Sequence, residues 1–301
     1  MMWVMVEKNH NLSMADLLAI IRAEIPELEI RSSTRIAEGL DHVVIDVNGA
    51  YIFRFSKPGW TPPVDELGAL AMFRGKTSAE IPEVLFRGRS LDYMGYRKIP
   101  GVSLSDDAGA RIPAFERKRL SQQIASFLFE LHAAVDAGTA KCAGLEEYDE
   151  SSFGEIYPVI EAKFPDDKRL IEFTRNVSVE FSQMTVGRAP KRVLHWDLHN
   201  GNMILNPVDY SLRGVVDFDT VRIADVHAEF RSLYRFNPTL AAESMEAYEK
   251  LTGVKLSFRR VKLYAWLVKL SDLAQSADSP ASGMHINAMR RVQNWIRDEG
   301  A

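Results

Sequence analysis

Cysteine is all but missing from this 301-residue chain, in which Cys142 stands alone. One thiol closes no intrachain disulfide and builds no cysteine-based zinc cluster, and its scarcity suits a reducing compartment. Basic residues are not in excess either: 37 Lys and Arg face 41 Asp and Glu, a formal net charge of −4. That balance gives no electrostatic reason to expect nucleic acid as a partner. No apolar run approaches membrane-spanning length, and residues 1–9 lack a basic stretch followed by an apolar one. The expectation is a cytoplasmic protein without membrane contact; oligomeric state is not legible. The glycines include no G-x-G-x-x-G, so no glycine-rich phosphate loop stands out. What is there is ordinary for a soluble protein, 46% hydrophobic and 26% charged, in a chain longer than one core usually needs. Two lobes are expected.

The most informative stretch is 193–205. An apolar pair enters a polar turn and a Met-Ile-Leu run leaves it, the pattern of a tight loop dropping into a short strand. The turn carries Asp197 and Asn202, and a second apolar run, Gly214-Val215-Val216, delivers Asp217. One carboxylate to take a proton, with an amide and a second carboxylate to share a hard cation, is what phosphoryl transfer from a nucleotide requires. Asp197 would accept the proton of the attacking hydroxyl, while Asn202 and Asp217 would hold Mg²⁺ on the phosphates. His195, grouped with Asp197 as a catalytic-loop residue, would brace the loop rather than touch substrate. Protein kinases arrange these roles as H-R-D, a later Asn, then D-F-G. Here they read His195-Trp196-Asp197, Asn202 and Asp217-Phe218-Asp219. Any one fragment is common in plain turns; three in order, each at a strand end, carry the reading.

Upstream, residues 13–16 form a capping-box pattern ahead of a helix that reaches Pro26. Strands are expected at 29–37, 42–47 and 51–55, the last two joined by Asn48-Gly49, a strong hairpin signal. The turn 37–41, holding Gly39, would lie over the nucleotide phosphates with its backbone N–H groups inward. Arg54 alternates with Phe53 and Phe55 and so points to the opposite face. There it would reach the α- and β-phosphates, where kinases usually place lysine, and pair with Glu66 on the next helix. Lys57 is a rival for that task, and a solvated strand arginine is the plain alternative. The helix 65–74 is expected to bury Leu67, Leu70, Ala71 and Phe73. Strands 84–88 and 93–99 complete a five-stranded sheet ending at Pro100-Gly101. The backbone of Arg97, Lys98 and Ile99 would then bond the purine edge, with Tyr96 as a gatekeeper. The expected boundary lies near residue 100, between a nucleotide-binding lobe, 1–99, and a helical lobe, 100–301. Helices are expected at 115–135, stopped by Gly138, and at 153–164, 168–184, 225–234, 239–251, 258–274 and 284–296. Pro238 and Gly253 separate the later ones.

Glu38-Gly39, the segments 51–55, 96–101 and 195–202, and Val216-Asp217-Phe218-Asp219 occur in the order seen in aminoglycoside phosphotransferases. The chain most resembles the branch that acts on the 2-double-prime hydroxyl, over most of its first 100 residues and 193–230. That resemblance implies an α+β, bilobal, protein-kinase-like fold with a small antiparallel-sheet N-lobe and a larger, mainly helical C-lobe. It implies Asp197 as the base, Asn202 and Asp217 as magnesium ligands, Arg97 to Ile99 as the nucleotide hinge, and ATP or GTP as donor. Asp225 and Glu229 fall where the family has a buttressing G-D-P-x-x-D-like stretch, and Asp225 also reads as a helix N-cap. The wider clan holds choline, homoserine and fructosamine kinases and macrolide phosphotransferases. Three departures stand out: Trp196 for a small residue, Asn200 for a frequent proline, and Arg54 for a frequent lysine. None removes the base or the metal ligands, but Trp196 could reshape the acceptor pocket.

A protein kinase is disfavoured, because the chain passes from Asp217 to Asp225 within a few residues, with no long activation segment and no A-P-E. The expected acceptor is a small-molecule hydroxyl. Glu243, Glu246, Glu249 and Asp272 would make its cleft acidic and favour a polyamine such as an aminoglycoside, though each singly also reads as a solvated helix-face carboxylate. A kinase for a small metabolite hydroxyl is the alternative. A nucleotide-binding module without transfer is the alternative of another class, and the intact Asp197, Asn202 and Asp217 weigh against it.

Overall fold

A computed structural model describes residues 13–38, 42–57, 64–109, 111–184 and 190–299. The expected phosphate turn, with Gly39, lies outside the described residues. Helix α1, Met14–Glu24, starts as its sequence dictates: Ser13 Oγ accepts the Asp16 N–H at 3.3 Å, and Asp16 accepts the Ser13 N–H at 3.0 Å.

A five-stranded antiparallel sheet follows. It consists of β1 (Ser33–Glu38), β2 (His42–Val47), β3 (Tyr51–Ser56), β4 (Val84–Arg87) and β5 (Tyr93–Arg97), in the order β1-β2-β3-β5-β4. Between β2 and β3, Asn48 and Gly49 both take positive φ (60° and 65°), as the tight hairpin turn demands. Asn48 Oδ1 also accepts the N–H groups of Arg31 and Ser32 at 2.8 and 3.0 Å. Those bonds hold the chain ahead of Ser33 as an arm, which is why the strand expected from residue 29 begins only at 33.

Alternation along β3 puts Phe53 and Phe55 against α1 with Ile45, Val47, Leu17 and Ile21. Arg54 takes the other face, which α2 (Glu66–Phe73) covers. Glu66, Ala69, Leu70 and Phe73 are the buried positions of α2. Ala71 is exposed and Leu67 only half-buried, against expectation, because the helix is rotated so that Glu66 meets Arg54.

After β5 the chain crosses at Pro100-Gly101. Gly101 has φ +149°, and a Cβ there would lie 2.5 Å from the Leu205 carbonyl oxygen, so only glycine fits. Val102 then exchanges backbone hydrogen bonds with Leu205 at 2.9 and 2.8 Å. Beyond it the chain is mostly helical: α3 (Asp106–Gly109), α4 (Ala114–Ala134), α5 (Ala137–Cys142), α6 (Ile156–Lys163), α7 (Lys168–Met184), α8 (Arg231–Phe236), α9 (Pro238–Thr252), α10 (Phe258–Gln275) and α11 (Gly283–Glu299). Gly138 does not stop α4 but sits inside α5, which Asp136 caps. Pro238, expected as a separator, opens α9 at the first helical position, where no N–H is needed.

Two short antiparallel ribbons lie within this part: β6 (Lys191–Leu194) with β9 (Arg222–Asp225), and β7 (Met203–Leu205) with β8 (Leu212–Val215). Leu120, Ile124, Phe127, Leu128 and Leu131 of α4 pack with Val193, Met203, Val215 and Phe218 in one core, which seats the ribbons rigidly. This is the α+β, two-lobed arrangement expected. Among the described residues, no helix is long and apolar enough to cross a membrane.

Candidate active site

The ribbons place the polar turns. Just beyond the β7–β8 ladder, the Val216 N–H donates to the Asn202 carbonyl at 2.9 Å. That bond sets Asn202 beside the segment that carries Asp217. The Asn202 side-chain Nδ2 donates to the Asp197 carbonyl at 3.0 Å, so its amide oxygen is the atom left for a cation. Asp197, Asn202 and Asp217 are thereby tied into one backbone network.

His195 is fully buried. Its Nδ1 accepts the Asp197 N–H at 3.3 Å and its Nε2, 3.1 Å from the Val216 carbonyl, donates there. Both ring nitrogens serve the backbone, so this residue positions the loop and does not reach substrate. Glu229, also fully buried, accepts the His195 and Trp196 N–H groups at 2.8 and 3.2 Å. Behind it His132 lies 3.2 Å away and is held in turn by the Tyr248 hydroxyl at 2.8 Å. Asp225 accepts the His227 N–H at 2.9 Å and pairs with Arg260, so it caps one turn and ties it to α10. Asn200, standing for a proline, donates to the Leu104 carbonyl at 2.6 Å and anchors the loop to the crossing segment. Trp196 and Asp217 hold positive φ (74° and 73°), a strain that only such over-determined surroundings maintain.

Trp196 does not line an open pocket. Its ring is 4.5 Å from that of Tyr148, lies under Arg231 at 4.0 Å and Arg222 at 4.6 Å, and is buried in the helical core.

Arg54 is the centre of the inter-lobe cluster. Its Nη1 donates to both Glu66 oxygens at 2.8 and 2.7 Å, and its Nη2 to Asp217 at 2.5 Å and Asp219 at 2.7 Å. Nη2 also lies 3.2 Å from His42 Nδ1, and Glu66 accepts the Phe218 N–H at 3.0 Å. The expected Arg54–Glu66 pair forms, and Arg54 rather than Lys57 holds the centre. Arg54 is buried, not the solvated strand residue of the plain alternative. One guanidinium faces three carboxylates. Burial and then the Asp217 charge push Asp219 up to about 8, while burial and Arg54 hold His42 down to about 4. Asp219 was not singled out as a site residue from sequence. Its signal was the third letter of Asp217-Phe218-Asp219, an acid where D-F-G has glycine.

Surplus negative charge on hard oxygens is what a divalent cation relieves. Among the described residues no three His, Cys, Asp or Glu side chains are placed to hold a metal by themselves. Magnesium is usually held by one or two carboxylates together with substrate phosphates, so the donor set of Asn202 and Asp217 fits it.

The Asp197 side chain is 34% exposed, with Ser232 Oγ donating at 3.2 Å, His199 at 3.5 Å and Arg235 at 3.7 Å. Burial alone would raise its pKa, but His199, Arg231 and Arg235 outweigh it and hold the carboxyl below its usual range.

At the hinge, Lys98 turns into the sheet: its N–H donates to the Ala50 carbonyl at 2.9 Å and its Nζ to Asp46 at 2.6 Å. Of the three hinge residues expected at the purine edge, Lys98 is thus the one whose N–H is already spent within the sheet. Backbone groups alternate sides along an antiparallel strand, so those of Arg97 and Ile99 face away from β3. Tyr96 is buried opposite Ile52, on the face of Arg54.

The four carboxylates expected to make the acceptor cleft acidic are each paired with a basic residue. Glu243 pairs with Arg117 of α4 at 3.1 Å, Glu246 with Lys250 at 2.5 Å, Glu249 with Lys255 at 3.6 Å and Asp272 with Lys269 at 2.5 Å.

A profile of the phosphotransferase enzyme family matches residues 33–264. Among solved structures, a GDP complex of wild-type aminoglycoside 2'-phosphotransferase-IIIa is similar at a TM-score of 0.86 and 22% identity, covering 96% of this chain and 100% of that one. A GDP and kanamycin complex of a 2-double-prime aminoglycoside phosphotransferase gives 0.80 and 23%, covering 95% and 99%. A choline/ethanolamine kinase family protein from Mesorhizobium loti gives 0.68 and 19%, covering 94% of each. At these identities the likeness establishes the fold.

Proposed function

The chain belongs to the phosphotransferase enzyme family, and from that premise we propose that it moves the γ-phosphate of ATP or GTP to a hydroxyl of a small molecule. The observation that carries the reading is the backbone network joining Asp197, Asn202 and Asp217, with Arg54 bonded to Asp217 at 2.5 Å. The backbone of Arg97 and Ile99 bonds the purine edge. Arg54, fixed by Glu66, sets one positive charge beside the phosphates while its fork holds Asp217 and Asp219 in place, which a lysine's single ammonium does not do. When bound, a magnesium ion held by Asn202 and Asp217 supplies charge neutralisation on the phosphates.

Asp197 takes the hydroxyl proton as the bond to phosphorus forms. Its lowered pKa makes it a weak base, but a loose transition state asks mainly for orientation of the hydroxyl. Ser232 at 3.2 Å and the tethers on loop 195–202 supply that orientation. Two unit charges about 4 Å apart interact by roughly 4 kcal/mol at an effective dielectric near 20. A triphosphate beside these acidic groups therefore needs more cation than Arg54 alone provides.

An aminoglycoside acceptor, of the kind bound in one similar structure, is supported by shared fold. A small-metabolite acceptor is favoured by the basic groups beside Asp197. The test is nucleotide diphosphate release from Mg-ATP and Mg-GTP over a panel of hydroxyl compounds, with the product identified by mass. Acceptor-dependent release in the wild type and its loss in Asp197→Asn is the expected result. Nucleotide binding without transfer to any acceptor would turn the reading to a binding module.

A further inference from the structure

Trp196 is the bulky departure in the loop that carries Asp197. Its φ of 74° lies in the left-handed region, which strains any residue with a Cβ and a bulky one most. Glycine would adopt it freely. The ring is nonetheless buried in the helical core with Phe153, Ala224 and Ala228, so the side chain itself must account for the strain.

What the ring carries is charge. The Arg231 guanidinium lies over it at 4.0 Å and that of Arg222 at 4.6 Å. The Tyr148 ring stands 4.5 Å from Trp196 and 5.5 Å from the Arg222 guanidinium. Arg231 is 3% exposed; its Nη1 donates to the Ala228 carbonyl at 2.9 Å, and its Nε has no hydrogen-bond partner among the described residues. Arg222 donates through Nε to the Thr220 carbonyl at 3.1 Å. Among the described residues, neither guanidinium is in an ion pair with a carboxylate. Buried charge without a direct counter-ion is rare, and the weakly hydrated guanidinium is the cation that an aromatic face can hold.

The charge that these groups answer belongs to the next residue. Trp196 precedes Asp197, and Ser232, which follows Arg231, donates to Asp197 Oδ1 at 3.2 Å. Burial brings Arg231 down to about 10, and Asp197 is the first charge to oppose it. Burial also lowers Arg222, with Tyr148 and then Asp197 opposing. Glu229, the other carboxylate that acts on Arg231, is committed to two loop amides and His132.

We infer that Trp196 is a positioning residue, a ring that seats Arg231 and Arg222 as fixed positive charge behind Asp197. A triphosphate brought up to an ionised carboxylate repels it. Preorganised charge behind the carboxylate offsets that repulsion without reorganising. Arg231 is too deeply buried to touch a substrate, so the effect falls on turnover and not on binding. The inference rests on the proposed transfer reaction for what Asp197 does there, but not for the pairing of charges.

Two arms test it. Thermal melts follow Arg231→Gln in the wild type and in Asp197→Asn. The substitution should lower the melting temperature of the wild type by a few degrees, and should lower it less, or raise it, where residue 197 carries no charge. With Trp196→Leu added to both backgrounds that difference should shrink, because the guanidinium is no longer seated. An equal loss in both backgrounds, which a merely packed arginine would give, or a difference indifferent to Trp196→Leu, overturns the proposal. The second arm measures ADP release from Mg-ATP with water as the acceptor. Arg231→Gln and Trp196→Leu should each lower kcat about tenfold with the KM for Mg-ATP unchanged. Arg231→Lys keeps the charge and Trp196→Phe keeps a ring, so both should stay within about threefold of the wild type. A Trp196→Phe enzyme as slow as Trp196→Leu, or a loss carried by KM, overturns it. No ADP release by the wild type, with the melts as expected, contradicts the transfer reaction instead and leaves the pairing of charges standing.

Discussion

Arg54 shows how much one side chain settles. Period-two alternation put it opposite Phe53 and Phe55, and the structure adds why it is an arginine: one fork serves Glu66 with one nitrogen and Asp217 and Asp219 with the other. Arg54→Lys keeps the charge but brings a single ammonium, so nucleotide affinity should fall on the order of tenfold; unaltered affinity by titration would contradict that role. Asp197 yields a prediction in pH. A proton acceptor must be ionised, and His199, Arg231 and Arg235 hold it ionised below the ordinary aspartate value of about 4. The rate should therefore show no protonation limb from Asp197 between about pH 8 and pH 5, and a limb centred near 6 or 7 that disappears in Asp197→Asn would count against the assignment. Residue types and spacing were legible at this scale. The bracing part of His195 was legible too, but the partners of its ring and of the Lys98 backbone were not, because a hydrogen-bond partner across 21 or 48 positions leaves no local mark.

Elements were legible where the signal is local. The capping box at Ser13, the Asn48-Gly49 turn and the 3.6-residue spacing along α4 each act within a few residues. Helix rotation was not, since it is set by the partner: α9 turns Glu243 toward Arg117 of α4. The anchor of α1 on the β4–β5 turn makes a stability prediction. Glu24 accepts the Arg89 and Ser90 N–H groups at 2.8 Å each and the Tyr93 hydroxyl at 3.1 Å. Burial alone would raise its pKa, but these bonds together outweigh it and bring the carboxyl down to about 2 from 4.5. A carboxylate whose folded pKa is depressed stabilises the fold above the unfolded value and loses that contribution as pH falls through the folded one. Glu24→Gln should lower the melting temperature by a few degrees at pH 7, worth roughly 1 kcal/mol given its exposure. The gap should close between about pH 4.5 and 2, and a gap independent of pH would refute the linkage. For the buttress, Glu229→Gln leaves a buried amide among donors. It should cost roughly 1–3 kcal/mol of stability and lower kcat about tenfold or more, with nucleotide affinity retained. Kinetics and thermal melts together check it.

For the whole molecule, the two-lobed arrangement follows from the change from strand to helix patterning near residue 100 and from motifs in a fixed order, both present in the chain itself. How the lobes are joined is a matter of backbone contact. Gly101 fits against Leu205, and Glu80 accepts the Val215 N–H at 2.8 Å while donating to the Arg213 carbonyl at 2.9 Å. The central claim is that oxygens from separate turns share one divalent ion on the phosphates. Calorimetric titration of ATP at rising magnesium concentration, on wild type and Asp217→Asn, tests it most directly. Affinity should climb steeply with magnesium in the wild type and stay nearly flat in the variant; the same magnesium dependence in both proteins, or no nucleotide binding by the wild type, would contradict it.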